Sequence, residues 1–226
     1  MTTRPWTRRT GIAAVALAAV VTMAGPAGAA TDPSTTTTAT ASPATTTASP
    51  ATTTAAPAVT AADVDYDTWQ KDCRAVMDQA LPYVQQRIAN TAPGEKQAIV
   101  FDIDNTTLET DFGFSYPQPA NKPVLEVAEY AQEHGVSLFF VTARPGIIAS
   151  VTEYNLKHVG YEVSGLYARG LGDLFRDVAE YKTAQRADVE SQGYTIIANI
   201  GNSATDLSGG HAERTFKLPD YDGQLS

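Results

Sequence analysis

Between Ala98 and Leu218, short apolar runs alternate with segments of helical periodicity, and this alternation limits the chain to few folds. Ala98-Ile99-Val100-Phe101 is apolar at four consecutive positions, as expected of a parallel strand covered on both faces. Helical character follows from Pro123 to His134, with a stop at Gly135. A strand is expected over Ser137 to Val141, a helix over Ile147 to Val159 stopped at Gly160, and a short strand over Leu166 to Ala168. Leu174 to Ser191 reads as a helix, Thr195 to Ile200 as another buried strand, and Arg214 to Leu218 as a last short one. The pattern predicts an α/β sandwich around a mostly parallel sheet. Ahead of it, Asp63, Asp65, Asp67 and Thr68 are candidate caps for a helix carrying Trp69, Cys73, Val76, Met77 and Ala80, and Pro82 is expected to open a further turn through Ile88.

The first 30 residues have another character. Arg4, Arg8 and Arg9 precede an apolar run from Ile12 to Met23 and then Ala27-Gly28-Ala29, the order of a secretory signal cleaved near Ala29 or Ala30. The run is shorter than the roughly 20 residues that span a bilayer, so no transmembrane segment is expected in the mature protein. Arg8-Arg9 after Thr7 suits a twin-arginine route, although Gly11-Ile12 matches it poorly, and both export routes stay open. From Thr31 to Ala62 the chain is almost entirely Thr, Ala, Pro and Ser, with the unit Ala41 to Thr47 repeated at Ala48 to Thr54. It is too poor in large apolar residues to fold and is read as a tether rich in hydroxyls open to O-glycosylation. The organisation expected is therefore signal 1–30, linker 31–62 and one domain over 63–226, with an extracellular or wall-associated destination.

Losing the three signal arginines moves the formal charge from −9 to −12. So acidic a surface, with no basic stripe, excludes nucleic acid and anionic lipid as partners, and an anionic substrate must be held by local positive groups. Cys73 is the only cysteine, which excludes an intrachain disulfide, and His134, His158 and His211 form no thiol-enzyme or zinc pattern.

In parallel sheets the ligand crevice lies beyond the carboxyl ends of the strands, and four segments fall there or at a helix that can reach it. Asp102 and Asp104, in Asp102-Ile103-Asp104-Asn105-Thr106-Thr107, follow a buried strand directly. Their mutual repulsion is costly without a cation. A calcium loop is the sharpest rival and fails, because its glycine and bidentate acid positions hold Thr107 and Gly113. Thr142-Ala143-Arg144 ends the next strand, where a hydroxyl and free amides suit a phosphoryl oxygen, although Thr142 reads equally well as a helix cap. Lys182 lies on a predicted helix, ordinarily the place of a solvated charge. Asn202 and Asp206 follow the strand ending at Ile200 and offer oxygens of the kind magnesium prefers.

The ordered set resembles the haloacid dehalogenase (HAD) superfamily, and within it the secreted class B-like acid phosphatases (subfamily IIIB), a group of bacterial surface phosphatases and plant vegetative storage proteins. The resemblance covers about Asp63 to Leu218, including Asp206-Leu207-Ser208-Gly209-Gly210-His211. It implies a three-layer Rossmann-like fold and hydrolysis of small phosphomonoesters, with Asp102 as nucleophile and Asp104 as general acid and then base. It further implies that Thr142, Ala143, Arg144 and Lys182 bind substrate, Lys182 neutralising charge between Asp102 and the transferring group. Mg2+ would be held by Asp102, the Asp104 carbonyl and Asn202, with Asp206 behind them. The chain departs from the family at Asn202, where aspartate is usual, and the missing charge predicts weaker metal affinity. Arg144 reads equally as a phosphate contact or a structural ion pair.

Between Leu108 and Pro123 only the excursion Glu109 to Lys122 intervenes, too short for a large cap, so an open site edged by Phe112, Phe114 and Tyr116 is expected. Transfer of phosphate to an alcohol, and a non-catalytic wall or storage role, are the alternatives to hydrolysis. The sequence leaves oligomeric state open.

Overall fold

The computed structural model describes residues 64–225; the expected signal 1–30, the expected linker 31–62, the candidate cap Asp63 and Ser226 lie outside the described residues. Among the described residues, five α-helices and five strands follow in the order α1 (Tyr66–Ala89), β1 (Lys96–Phe101), α2 (Lys122–Glu133), β2 (Ser137–Pro145), α3 (Ala149–His158), β3 (Gly165–Arg169), α4 (Val178–Ser191), β4 (Tyr194–Gly201), α5 (Ala204–Leu207) and β5 (Thr215–Lys217). The strands form one sheet, ordered β3-β2-β1-β4-β5, with every pairing parallel.

Strand periodicity divides the core in two. Ile99 and Phe101 of β1 and Leu138 and Phe140 of β2 join Trp69, Met77, Val124 and Val127 of α1 and α2 in one buried cluster. The alternate residues Ala98, Val100, Phe139 and Val141 pack with Tyr181 and Val189 of α4 in another. Both faces are thus covered, which is why the strands read as continuous apolar runs. A register shift in the β1–β4 pairing at Ala98/Ile99 lets Ile197 and Ala198 both enter the first cluster.

Three expected boundaries are corrected. Helix α1 runs through Pro82 without restarting. Pro82 and Asp78, whose carbonyl loses its partner, are both exposed, while Ala80 and Val84 are buried, so water takes the lost bond and packing holds the helix. Strand β2 continues to Pro145, whose ring favours extended backbone at Arg144, and a 3-10 turn at Gly146–Ile148 precedes α3. The stretch expected as a helix from Leu174 holds a 3-10 turn, Asp173–Phe175; α4 begins only after Asp177, whose carboxylate accepts from Glu180 N.

The excursion Glu109–Asn121 contains no helix and adds only a minimal cap. Phe112 stacks on Trp69 at 4.3 Å between ring centres, while Phe114 and Tyr116 are exposed. From β1 the chain passes outward to β2 and β3, then returns to β4 on the other side of β1. The crevice of such a switch lies between the carboxyl ends of β1 and β4, where Asp102 and Asn202 emerge.

Candidate active site

The loop after β1 is shaped by its own residues. Asp102 N donates to Ile200 O at 2.9 Å, extending the ladder by one residue. Ile103 O then accepts from the amides of Thr106, Thr107 and Leu108, a tight turn that places Asn105 in the left-handed region at φ 52°. The Thr107 hydroxyl donates to Asp102 O at 3.2 Å and fixes where the Asp102 side chain leaves the sheet.

Asp102 is buried and receives the Lys182 ammonium on Oδ1 at 2.6 Å; the same ammonium meets Asp206 Oδ1 at 2.5 Å. Lys182 is only 4% exposed, so of its two readings the solvated surface charge is not the one observed. Burial pushes the Asp102 carboxyl upward, Lys182 pulls it back, and Asp206 and Asp104 add to the rise. Burial alone would lower Lys182, but the two carboxylates outweigh it and hold the ammonium above its ordinary range.

Asp206 is placed by a capping box: Ser203 caps α5, and Asp206 Oδ2 accepts from Ser203 N at 2.7 Å. The Asp206 carbonyl receives Arg186 Nη1 at 2.6 Å and Asn199 Nδ2 at 2.9 Å, so this buried segment is fully tied. Gly201 permits it, because a Cβ there would overlap the Asp206 side chain.

A cavity of about 340 Å3 brings together Asp102, Asp104, Ala143, Lys182, Asn202 and Asp206. Thr142 is buried beside it, not in its wall, and its hydroxyl accepts from Arg144 N at 3.1 Å inside β2. The helix-cap reading of Thr142 is therefore corrected: the strand continues past it. Arg144 turns to the far wall and grips Asp104, with Nη2–Oδ1 at 2.7 Å and Nε–Oδ2 at 3.0 Å. It also donates to Gln118 Oε1 at 2.9 Å and Thr152 Oγ1 at 3.2 Å, and Thr110 donates to Asp104 at 2.8 Å. Of its two readings, the ion pair is the one observed. Asp104 also borders a second hollow of about 370 Å3, edged by Tyr116, Gln118, Ile148, Val151 and Asn155. A larger hollow of about 490 Å3 between α4 and Ser208–His211 contains none of the motif carboxylates.

Sequence reasoning assigned no role to Asn105, Thr106, Gln118 or Leu225. Thr106 donates to Asn202 Oδ1 at 3.3 Å, and Asn202 Nδ2 donates to Leu225 O. Only Asn105 had a local signal, since asparagine tolerates the left-handed turn. Cys73 is buried in the core and its thiol is pushed up to about 12 by burial, which keeps it out of nucleophilic chemistry.

Among the described residues no cluster of three or more His, Cys, Asp and Glu is arranged for a metal. The three residues that the resemblance assigns as ligands, Asp102, Asp104 and Asn202, nevertheless all line the cavity, and between them carry carboxylate, main-chain carbonyl and amide oxygens of the hard kind. Asp102 and Asp206 share the single positive charge of Lys182, leaving an excess of negative charge. Donor type and charge both fit magnesium.

Comparison with known proteins gives the same placement. The model of the HAD superfamily, subfamily IIIB (acid phosphatase), matches residues 27–224. A stem 28 kDa glycoprotein of Glycine max is 30% identical over 178 residues, covering 68% of each chain. Acid phosphatase 1 of Solanum lycopersicum is 31% identical over 104 residues, 45% of this chain and 41% of that protein. Among solved structures, the class C acid phosphatase of Bacillus anthracis superposes with a TM-score of 0.55 over 71% of this chain and 83% of that one, at 16% identity. That likeness establishes the fold.

Proposed function

The chain belongs to the HAD superfamily, subfamily IIIB, the acid phosphatase family, and from that premise we propose that it is an exported, magnesium-dependent hydrolase of phosphate monoesters that works through an aspartyl-phosphate on Asp102. The observation that carries the reading is the buried Asp102–Lys182–Asp206 triad, all three of whose residues line a cavity that they share with Asp104 and Asn202.

With Oδ1 held by Lys182, Asp102 keeps Oδ2 for attack on phosphorus. As the Oδ2–P bond forms, the P–O bond to the leaving group breaks, and the departing oxygen takes a proton from Asp104. Water then attacks phosphorus and gives its proton to Asp104, the Asp102–P bond breaks, and inorganic phosphate leaves. Dividing the displacement between a carboxylate nucleophile and a neighbouring carboxyl lowers each barrier. Lys182 opposes the charge gathering between Asp102 and the transferring group. The Ala143 main chain in the cavity wall and the Thr142 hydroxyl behind it are assigned to phosphoryl oxygens. Arg144 acts through Asp104, holding its carboxyl between the phosphoryl cavity and the second hollow, which is assigned to the leaving group; for Asp104 to carry the proton that it gives up, one of its oxygens must come free of Arg144. Asp102, the Asp104 carbonyl and Asn202, with Asp206 behind them, are the groups that would hold magnesium, which when bound would supply positive charge for the phosphoryl group.

Export is supported by residues 1–30, and a tethered domain by 31–62; no helix among the described residues is long and apolar enough to cross a membrane. Purified protein with magnesium is expected to release phosphate from aryl and sugar monoesters. Asp102→Asn, which keeps an acceptor for Lys182, should lower the rate by at least about 1,000-fold, since it removes the bond-forming oxygen. An unchanged rate in Asp102→Asn, or none in either protein, defeats the reading; the latter result favours a storage or wall role.

A further inference from the structure

The segment after β5 returns beneath the cavity. Leu218 N donates to Gly201 O at 2.9 Å, and the Tyr221 hydroxyl reaches Asp72 at 2.9 Å. Leu225 N closes onto Asp220 O at 3.1 Å, and the Leu225 side chain is buried in the main core. The Leu225 carbonyl is thereby aimed at two side-chain amides. It accepts from Asn105 Nδ2 at 2.9 Å and also from Asn202 Nδ2.

A carbonyl only accepts, so both amides must turn nitrogen toward it and oxygen away. For Asn105 the oxygen takes Asp111 N at 3.0 Å. For Asn202, in the cavity wall, the oxygen takes the Thr106 hydroxyl at 3.3 Å and is the only side-chain atom left to face a cation.

We propose that the Leu225 main-chain carbonyl is a positioning group of the metal site: it turns the Asn202 oxygen into the cavity and makes asparagine the residue this site requires. The proposal rests on the magnesium reading above and reverses one consequence of charge counting. An aspartate at 202 adds a negative charge, which by itself favours a divalent cation. It also sets a carboxylate oxygen against the Leu225 carbonyl, two acceptors with no proton between them, at a position only 1% exposed. The carboxylate must turn away from Leu225, disturbing the contact with Thr106 that fixes the side chain in the cavity wall, or force the 219–225 segment off the domain.

The test compares the full chain with Asn202→Asp and Leu225→Ala, the latter keeping the carbonyl and losing only side-chain packing. Magnesium binding is read by calorimetry and thermal unfolding is read in chelator. Asn202→Asp is expected to bind magnesium about tenfold more weakly, the scale of one unpaired buried acceptor, and to unfold earlier even in chelator. Leu225→Ala should stay within about twofold of wild-type affinity, because the carbonyl remains and the main-chain bond from residue 225 N to Asp220 O, which does not depend on the side chain, still aims it; a larger loss overturns the proposal. Equal or tighter magnesium binding by Asn202→Asp overturns the proposal.

If that variant does not fold, hydrogen exchange of the wild-type Asn202 side-chain amide decides. It should be at least about tenfold slower than at the exposed amide of Gln85, and equal rates overturn the proposal. If wild-type protein binds no magnesium, the metal reading fails separately, and unfolding in chelator alone judges the clasp: an undiminished midpoint for Asn202→Asp refutes it.

Discussion

Replacing Lys182 by methionine tests whether the triad is held together by one charge. Methionine approximates the length of the lysine stem, so packing changes little and the loss is electrostatic. Lys182, Asp102 and Asp206 are 4%, 6% and 2% exposed, so water cannot replace the ammonium, and two carboxylates are left facing each other. Breaking a buried pair from one side costs about 3–5 kcal/mol. For a domain of this size that lowers the unfolding midpoint by about 6–20 °C. The pH dependence has a definite sign. Burial already raises the Asp102 carboxyl, and losing Lys182 raises it further, so the folded variant binds protons more tightly than its unfolded chain. Its stability is retained at low pH and lost as pH rises through the folded-state value, and the deficit against wild type should be larger at pH 8 than at pH 5. Calorimetric scans in chelator at both pH values measure it. A midpoint within about 2 °C of wild type at pH 8, or a deficit that grows on acidification, refutes the argument.

Two further substitutions probe the support of the site. Gly201→Ala places a Cβ against the Asp206 side chain; overpacking of this kind costs about 1–3 kcal/mol and should lower activity with stability by moving Asp206 off Lys182, as paired melting and turnover measurements would show. Arg87 pairs with Glu95 and holds its carboxyl down to about 2, so Glu95 contributes stability above the ordinary carboxylate range that is lost as pH falls toward 2. Arg87→Gln should therefore move the acid-unfolding midpoint, followed by circular dichroism, to higher pH; an unmoved midpoint counts against the pair.

How much was legible in the sequence depended on whether the cause was local. The runs around Ile99, Phe140 and Ile197 announce burial on both faces without reference to partners, and Asp102 betrayed its place by following such a run. Helix α4 carried its start in Asp177 and Glu180, a cap signal that the apolar residues Leu174 and Phe175 obscured. Lys182 could not be read as buried, because what makes its burial tolerable is Asp102, 80 residues away in sequence. Arg144 likewise meets acceptors from separate segments, Asp104, Gln118 and Thr152. The Leu225 contribution is a main-chain carbonyl, and every residue possesses one, so no side-chain pattern can signal it.

The charge arrangement bears on what a divalent cation would contribute in this cavity. The chain carries a formal −9, and at the site Arg144 is spent on Asp104 while Lys182 divides its single charge between Asp102 and Asp206. The cavity walls therefore hold net negative charge before any substrate enters. A phosphate monoester arriving as a dianion meets repulsion that no described side chain lining the cavity relieves, since Lys182 is its only basic wall residue. On the proposed reading, a cation bound through Asp102 and Asn202 reverses that sign locally. Such a cation would contribute electrostatically to admitting the substrate as well as to the steps at phosphorus. This places unusual weight on Asn202: as a neutral ligand it would add no negative charge to that of Asp102, so more of a bound cation's positive charge would stay available to the phosphoryl group than with a second carboxylate ligand, provided that Leu225 keeps the amide oxygen turned toward it.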